Sequence, residues 1–350
     1  MLKGSLSGSR TRSTYYGKSA SRATAEAKNR RYAHSLQDPV SRAARDHEAR
    51  FSAAFRSAAR QGQMVLDVAQ LTADLERREP SWAESTLGFA IAALGVTLKE
   101  RARELVRSTL VAGAKAATQD AQRRGQFERT RIRAAQGLEG LIFDQANPEA
   151  VAWASTQSAQ LVTRVTEETR AALRSTMAQA FIEGWPPEIA ARMLRTMVGL
   201  TGPQTTAVAN LRAKMLDPAN AGHRIFAGKT AIRIPKTGVT EELIARRTEQ
   251  YANRLLNLRG RMIARTETIA ASNEGQRQLW IQAQQEGLLG SNQVKEWFVT
   301  PDERLCPICE PLNGLTALID QPFPDIGIQG PPAHVFCRCT MGISTKGLTT

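Results

Sequence analysis

Apolar residues recur at helical spacing through the middle of the chain. Residues 61–200 are rich in Ala, Leu, Arg, Gln and Glu, hold few glycines and lack the strict alternation of a strand. One helix is predicted from about Glu149 to Ile182, with Gly184 ending it. Its apolar side carries a residue at every fourth position: Val165, Thr169, Leu173, Met177 and Phe181. This segment is predicted to be an α-helical domain.

Glycine and proline interrupt the pattern after residue 200. Pro187 begins a short predicted helix that Gly199 closes, and a second short helix is expected over Thr205–Leu216. A loop or hairpin follows. Residues 201–240 are therefore interpreted as a linker segment with a domain boundary.

A long helix is predicted from Glu241 to about Glu286, because Thr240 can cap it and two acids follow in its first turn. Gly260 is expected to kink or divide it. The stretch from Val294 to Thr300 is rich in β-forming residues and predicts a strand.

The longest apolar run, from Gly88 to Leu98, is much shorter than the roughly 20 residues that span a bilayer. It predicts a helix buried in the protein, with no membrane partner. Residues 1–20 are polar and have no apolar core, so no secretory signal is expected.

Charge is concentrated near the amino terminus. The chain has a net charge of +14 and a pI near 10.2. Residues 1–60 hold thirteen Lys and Arg against four Asp and Glu. They are interpreted as a basic, possibly disordered arm that contacts a polyanion; a solubilising tail is the alternative. The expected DNA contacts are Arg10, Arg12, Lys18, Arg22, Lys28, Arg30 and Arg31.

The four cysteines all lie in the last 45 residues, in two close pairs. Cys306 and Cys309 form a C-x2-C turn, and His334, Cys337 and Cys339 follow as H-x2-C-x-C. Four soft ligands suit one structural, tetrahedral Zn²⁺, and five candidates compete for the four places. A disulfide or free thiols are the alternatives.

Polar residues interrupt the apolar stripe of the long helix. Arg265, Thr266 and Asn273 fall on or beside the stripe formed by Leu255, Leu258, Met262, Ile269 and Trp280. A charged Arg265 facing a core needs an acceptor, for which Asp302, Glu296 or backbone carbonyls of the cysteine loops are candidates. The favoured interpretation is a structural polar cluster that pins the helix to the C-terminal module. The other is an acid–base site that includes Glu267, Asp302 and His334.

These motifs, in this order, resemble the phage Mu F-like minor head protein family over about residues 180–345. The order runs from Arg261 through Lys295 and Trp297 to Pro331 and the last cysteines. Asn313 stands where the family pattern has Asp. The matching positions are Arg265, Thr266, Glu267, Asn273, Gly275, Trp297, Asp302, Arg304, Cys306, Cys309, His334, Cys337, Arg338 and Cys339.

The resemblance implies a minor capsid, or head morphogenesis, protein of a tailed bacteriophage. Such a protein assembles in the bacterial cytoplasm and resides in the virion, in the capsid interior or at the portal vertex. The expected partners are portal protein, capsid or scaffold proteins, and phage DNA. No complete catalytic motif is present, so no enzymatic activity is expected. The alternatives are a zinc-containing, nuclease-like enzyme acting on DNA and a zinc-knuckle DNA-binding module.

The expected fold is mainly α with a small α+β C-terminal module, in which long helices precede a loop-rich, zinc-stapled domain. The expected divisions are an arm over 1–60, a helical domain over 61–200, a linker over 201–240 and a C-terminal domain over 241–350.

Overall fold

A computed structural model describes residues 20–127, 141–300 and 305–344. In these ranges the side chains are described from residue 43 onwards, apart from those of residues 120–127. Within these ranges the α-helices are α1 (Ala20–Val65), α2 (Val68–Glu76), α3 (Pro80–Phe127), α4 (Pro148–Ile182), α5 (Pro187–Met197), α6 (Gly202–Leu216) and α7 (Glu241–Gln285). The strands are β1 (Arg224–Ala227), β2 (Thr230–Arg233), β3 (Val294–Phe298), β4 (Thr316–Leu318) and β5 (Thr340–Ile343). The prediction of a mainly α fold with a small C-terminal strand module is confirmed.

The three long helices α1, α3 and α7 pack against one another, and α4 covers α3. The largest core joins side chains from all seven of these helices, including Phe55 of α1, Leu94 of α3, Leu173 of α4 and Leu256 of α7. The capping signals act as predicted, since Thr240 accepts a hydrogen bond from the Leu243 N–H at the start of α7. Gly260 does not divide α7, which is continuous.

Two glycines allow α3 and α7 to touch at their backbones. A Cβ on Gly275 would lie 2.0 Å from the Leu110 carbonyl oxygen, and one on Gly113 would lie 2.2 Å from that of Ser272. Both distances are far below van der Waals contact. Any larger side chain at either position would therefore separate the helices.

The predicted buried helix over residues 88–98 lies within α3. Leu94 and Leu98 are buried in the core, whereas Phe89 and Val96 are exposed. By length and composition alone, the segment Pro80–Gln119 is also long and apolar enough to cross a membrane. Its 18-residue apolar window has a mean hydropathy of 1.2, and 39% of that window is buried inside the protein. Its core position accounts for many of its apolar residues.

Strands β1 and β2 form an antiparallel hairpin, with Arg224 opposite Arg233 and Phe226 opposite Ala231. A separate small core lies beneath it, where Ile225 and Ile232 pack against Met215 of α6 and Ile244 of α7. The loop or hairpin expected in this segment is thus a hairpin.

The C-terminal sheet has the order β4-β3-β5, and both pairings are antiparallel. All five residues of β3 are buried. Trp297 of β3 packs edge-on against Phe323 at 5.3 Å between ring centroids, within a core that also holds Trp280 of α7 and three of the four cysteines. The end of α7 therefore belongs to the C-terminal module, while its middle belongs to the helical bundle.

The elements do not follow the expected domain boundaries. The boundary after residue 60 falls inside α1, where Phe51, Phe55 and Ala59 are already buried in the main core. The boundary at residue 241 is crossed as well, because α7 packs along α1 and α3 before it reaches the C-terminal sheet.

A candidate metal centre docked on the long helix

Two loops bring the cysteines together. The first is a tight turn in which the Cys309 and Glu310 N–H groups both donate to the Cys306 carbonyl oxygen, at 3.1 and 3.0 Å. The second precedes β5 and carries His334, Cys337 and Cys339. The pairing of β3 with β5 holds the second loop in place, and β3 also pairs with the strand that follows the first loop.

The five predicted ligands form two overlapping groups that can hold a metal ion. Cys306, Cys309 and His334 form one, and Cys309, Cys337 and Cys339 form the other, with ligand atoms within 4.8 Å of one another in each. His334 Nε2 lies 3.0 Å from both Cys306 Sγ and Cys309 Sγ. Cys309 Sγ lies 3.7 Å from Cys337 Sγ. Cys309 is thus the member that both groups share.

The imidazole of His334 is oriented by its own loop. Its Nδ1 lies 2.8 Å from the Val335 carbonyl oxygen, which can accept a hydrogen bond only if Nδ1 carries the proton. In the neutral ring this leaves the Nε2 lone pair directed at the two sulfurs. Metal-binding histidines are commonly oriented by such a second hydrogen bond.

The thiols affect one another strongly. A hydrogen bond from Cys339 lowers the pKa of Cys337 to about 5, which favours the thiolate form of Cys337. Burial raises the pKa of Cys309 to about 12. The same hydrogen bond raises the pKa of Cys339, because the Cys339 thiol donates it. Several ionised sulfurs can therefore coexist here only beside a cation.

One of the three distances at the cluster matches a tetrahedral metal site, and the two that involve His334 are shorter. With Zn–S of about 2.3 Å and Zn–N of about 2.0–2.1 Å, tetrahedral geometry places two sulfurs about 3.8 Å apart and a sulfur and a nitrogen about 3.5 Å apart. The Cys309–Cys337 separation of 3.7 Å agrees with the first value. The 3.0 Å contacts of His334 are tighter by half an ångström. His334 would have to move away from the two sulfurs to admit an ion at these bond lengths.

The cysteine loop docks on α7 through the polar residues of the predicted stripe. Asn273 Oδ1 accepts hydrogen bonds from the Met341 N–H at 3.1 Å and from the Thr340 hydroxyl at 3.2 Å. Thr266 Oγ1 accepts from the Phe336 N–H at 3.0 Å. Both contacts support the interpretation that this cluster joins the helix to the C-terminal module.

Arg265 takes part in the same contact by a route that the sequence did not indicate. Its guanidinium lies over the Phe336 ring at 5.3 Å from the centroid, and Nε lies 3.7 Å from a Glu48 carboxylate oxygen. Phe336 has φ of 67°, an unfavourable conformation for a phenylalanine that these contacts help to hold. The expected acceptors do not include Glu48, which lies in α1 about 220 residues earlier in the sequence.

Glu267 faces away from the cysteines. It is buried and accepts hydrogen bonds from Arg164 Nη2 at 2.6 Å and Gln157 Nε2 at 2.8 Å, both on α4. The predicted polar set is thus split, with Thr266 and Asn273 at the cysteine loop and Glu267 between α7 and α4. Asp302 and Arg304 lie outside the described residues, as do Arg10, Arg12 and Lys18 and the side chains of Arg22, Lys28, Arg30 and Arg31.

Two other residues of the module have roles that the sequence pattern left open. The Asn313 side-chain oxygen accepts from the Val299 N–H at 3.3 Å, a contact that the Asp of the family pattern could also make. Lys295, the second residue of β3, is fully buried and donates to the Ile319 carbonyl oxygen and the Gln329 side chain. An exposed lysine and a buried one look alike in sequence, so this site was missed.

The comparisons place this module in a known family. Residues 232–342 match the family model described as Phage Mu protein F like protein. This confirms the resemblance from β2 through β5, whereas α5, which the resemblance was expected to include, lies before the matched residues. No curated protein and no solved structure matches the chain.

Proposed function

Because residues 232–342 form a Phage Mu F-like domain, we propose that the chain is a minor head protein of a tailed bacteriophage. It acts in head morphogenesis and stays in the virion, in the capsid interior or at the portal vertex. The observation that carries this proposal is the ordered Cys/His motif of the matched residues, which converges in space and docks on α7.

The proposed metal is one structural Zn²⁺. A small module built from three short strands and long loops has little core of its own, and a bound metal adds its binding energy to folding. Cys306, Cys309 and His334 would hold the ion together with Cys337 or Cys339. A site closed by four protein ligands leaves no position for a substrate or an activated water.

The proposal assigns no enzymatic activity to the chain. Of the two carboxylates in the expected acid–base set, Glu267 pairs with α4, and Asp302 lies outside the described residues. Asn273 accepts from the backbone of β5, and Thr266 accepts from the backbone of the second cysteine loop. Their role in the proposal is to fix the module to the bundle.

The proposed partners are the portal protein and the capsid or scaffold proteins, with phage DNA bound by the basic residues of 1–60. The excess of nine positive charges in that segment favours contact with a polyanion through release of counterions. DNA packed in a head provides such a polyanion at high concentration.

Co-assembly tests this function. The chain is co-expressed with the portal, scaffold and capsid proteins of its phage, and the assembled shells are separated by sedimentation through a sucrose gradient. We expect the chain to sediment with shells that contain portal and to remain at the top of the gradient when capsid protein is omitted. Sedimentation apart from the shells in the complete mixture would contradict a role in head assembly.

A further inference from the structure

The β1–β2 hairpin presents a basic face that the proposed head function does not explain. Arg224 and Arg233 are exposed and directly opposite each other, and Phe226, which is 61% exposed, lies on the same face beside them. Lys229 is at the tip, in the two-residue turn that Gly228 opens with φ of +60°. These four residues, Arg224, Phe226, Lys229 and Arg233, are called the hairpin face below.

The opposite side of the hairpin holds it rigidly on the protein. Ile225, Ile232 and Ile234 are buried against Leu211 and Met215 of α6. Arg254 of α7 donates a hydrogen bond to the Thr230 hydroxyl and lies over the Tyr251 ring, adding another exposed cation near the tip. The hairpin face is therefore presented by a fixed support.

Within the part of the chain that the structure describes, no acidic side chain pairs with the cations of the hairpin face. Residues 218–240 contain Arg224, Lys229, Arg233 and Lys236 and no Asp or Glu. Among the described residues, no carboxylate lies within ion-pair distance of Arg224, Lys229 or Arg233. Like charges directly opposite each other on a strand pair repel and destabilise the pair. A bound polyanion would remove that cost.

We propose that the hairpin face binds the sugar–phosphate backbone of a nucleic acid. The paired guanidiniums match phosphate geometry, and Phe226 beside them on the same face offers a surface for a sugar or a base. A two-stranded ribbon is also narrow enough for the major groove of a duplex. Charges that served only to protect a sheet edge would not need an exposed phenylalanine among them. The inference rests on the hairpin alone and does not require the head-protein assignment.

The test is the salt dependence of DNA binding by the full chain. Binding to a single-stranded and to a duplex oligonucleotide is measured by fluorescence anisotropy. The double variant R224A/R233A should reduce the slope of log K against log salt by about 2, since each phosphate contact contributes about 0.9. The matched control is R101A/R103A, which removes the same charge from exposed positions on α3.

A slope for R224A/R233A equal to that of the wild type, or lowered only as much as in R101A/R103A, would overturn the proposal. Unchanged DNA binding together with loss of sedimentation with shells would also overturn it, because the hairpin face would then belong to a protein partner. All these residues are exposed, so thermal unfolding of the variants should show no loss of stability relative to the wild type.

Phe226→Ala separates the two sources of the phosphate. If Phe226 stacks on bases, affinity for the single strand should fall at least about fivefold with an unchanged salt slope, while affinity for the duplex changes little. An equal loss of affinity for both oligonucleotides would indicate that Phe226 contacts the sugar–phosphate backbone, which the two share. No loss on either would remove Phe226 from the proposed face.

Discussion

At the scale of single residues, the candidate site was predictable where chemistry limits the choice of residue. The spacing of Cys306, Cys309, His334, Cys337 and Cys339 indicated one cluster, and the structure brings all five together. The partners of Arg265 and Glu267 were not predictable, because Glu48 and Arg164 lie on other helices far along the chain. Periodicity places a residue on a face of a helix without saying which helix covers that face.

Cys309 is the residue whose loss should matter most, because it alone belongs to both ligand groups. Cys309→Ser should abolish stoichiometric zinc, measured by elemental analysis of the purified protein, and unfold the C-terminal module. Ile308→Ser is the control, since Ile308 is in the same turn and 59% exposed. A Cys309→Ser protein with full zinc content and unchanged thermal unfolding would rule out Cys309 as a required ligand of the metal.

Lys295 should make stability depend on pH. Burial lowers its pKa from 10.5 to about 7. Between these values the unfolded chain holds a proton that the folded protein has released, so the contribution of Lys295 to the free energy of unfolding rises with pH from about 7 to 10. Below pH 7 both states are charged and the cost of burying the ammonium is felt in full.

Lys295→Met should remove this dependence. In urea unfolding from pH 6 to pH 9, the wild type should gain stability relative to the variant as the pH rises. Taking the difference between the two proteins cancels the titration of the cysteines. Lys99→Met, at an exposed position on α3, is the control and should shift the curve without changing its shape. Parallel curves for wild type and Lys295→Met would contradict a neutral lysine in the core.

At the scale of elements, most helices and β3 were predictable from the sequence. The residues that cap or end the helices can be recognised directly in it. Thr240 starts α7 and Gly184, with φ of +67°, follows the end of α4. The packing of the elements was not predictable. Gly275 matches the family pattern in the sequence. The reason that only glycine fits there is the close approach of α3, which is visible only in the folded structure.

Gly275→Ala should destabilise the protein by at least about 1–3 kcal/mol, because the new methyl group would overlap the Leu110 carbonyl and force α3 and α7 apart. Gly88→Ala is the matched control in a helix of the same bundle, where an added Cβ meets nothing within 4 Å. It should stabilise the protein by up to about 1 kcal/mol through helix propensity. Chemical denaturation measures both. Equal effects of the two substitutions would contradict the close crossing.

At the scale of the whole molecule, α7 joins the parts that the sequence appeared to separate. Ala252 and Ala264 pack in the main core, and Trp280 and Ala283 pack in the core of the C-terminal module. Composition marked the segment near residue 240 as a boundary because glycines and prolines cluster there. The boundary fails because the helix that follows is long enough to cross from one core to the other.

We propose that this chain, in which α7 connects the bundle core to the C-terminal core, is a minor component of the phage head. Quantitative mass spectrometry of purified particles tests it most directly, with peptides of the chain counted against peptides of the portal protein. The account predicts a small and reproducible number of copies per particle. Absence from particles, with the chain abundant in the infected-cell lysate, would contradict it.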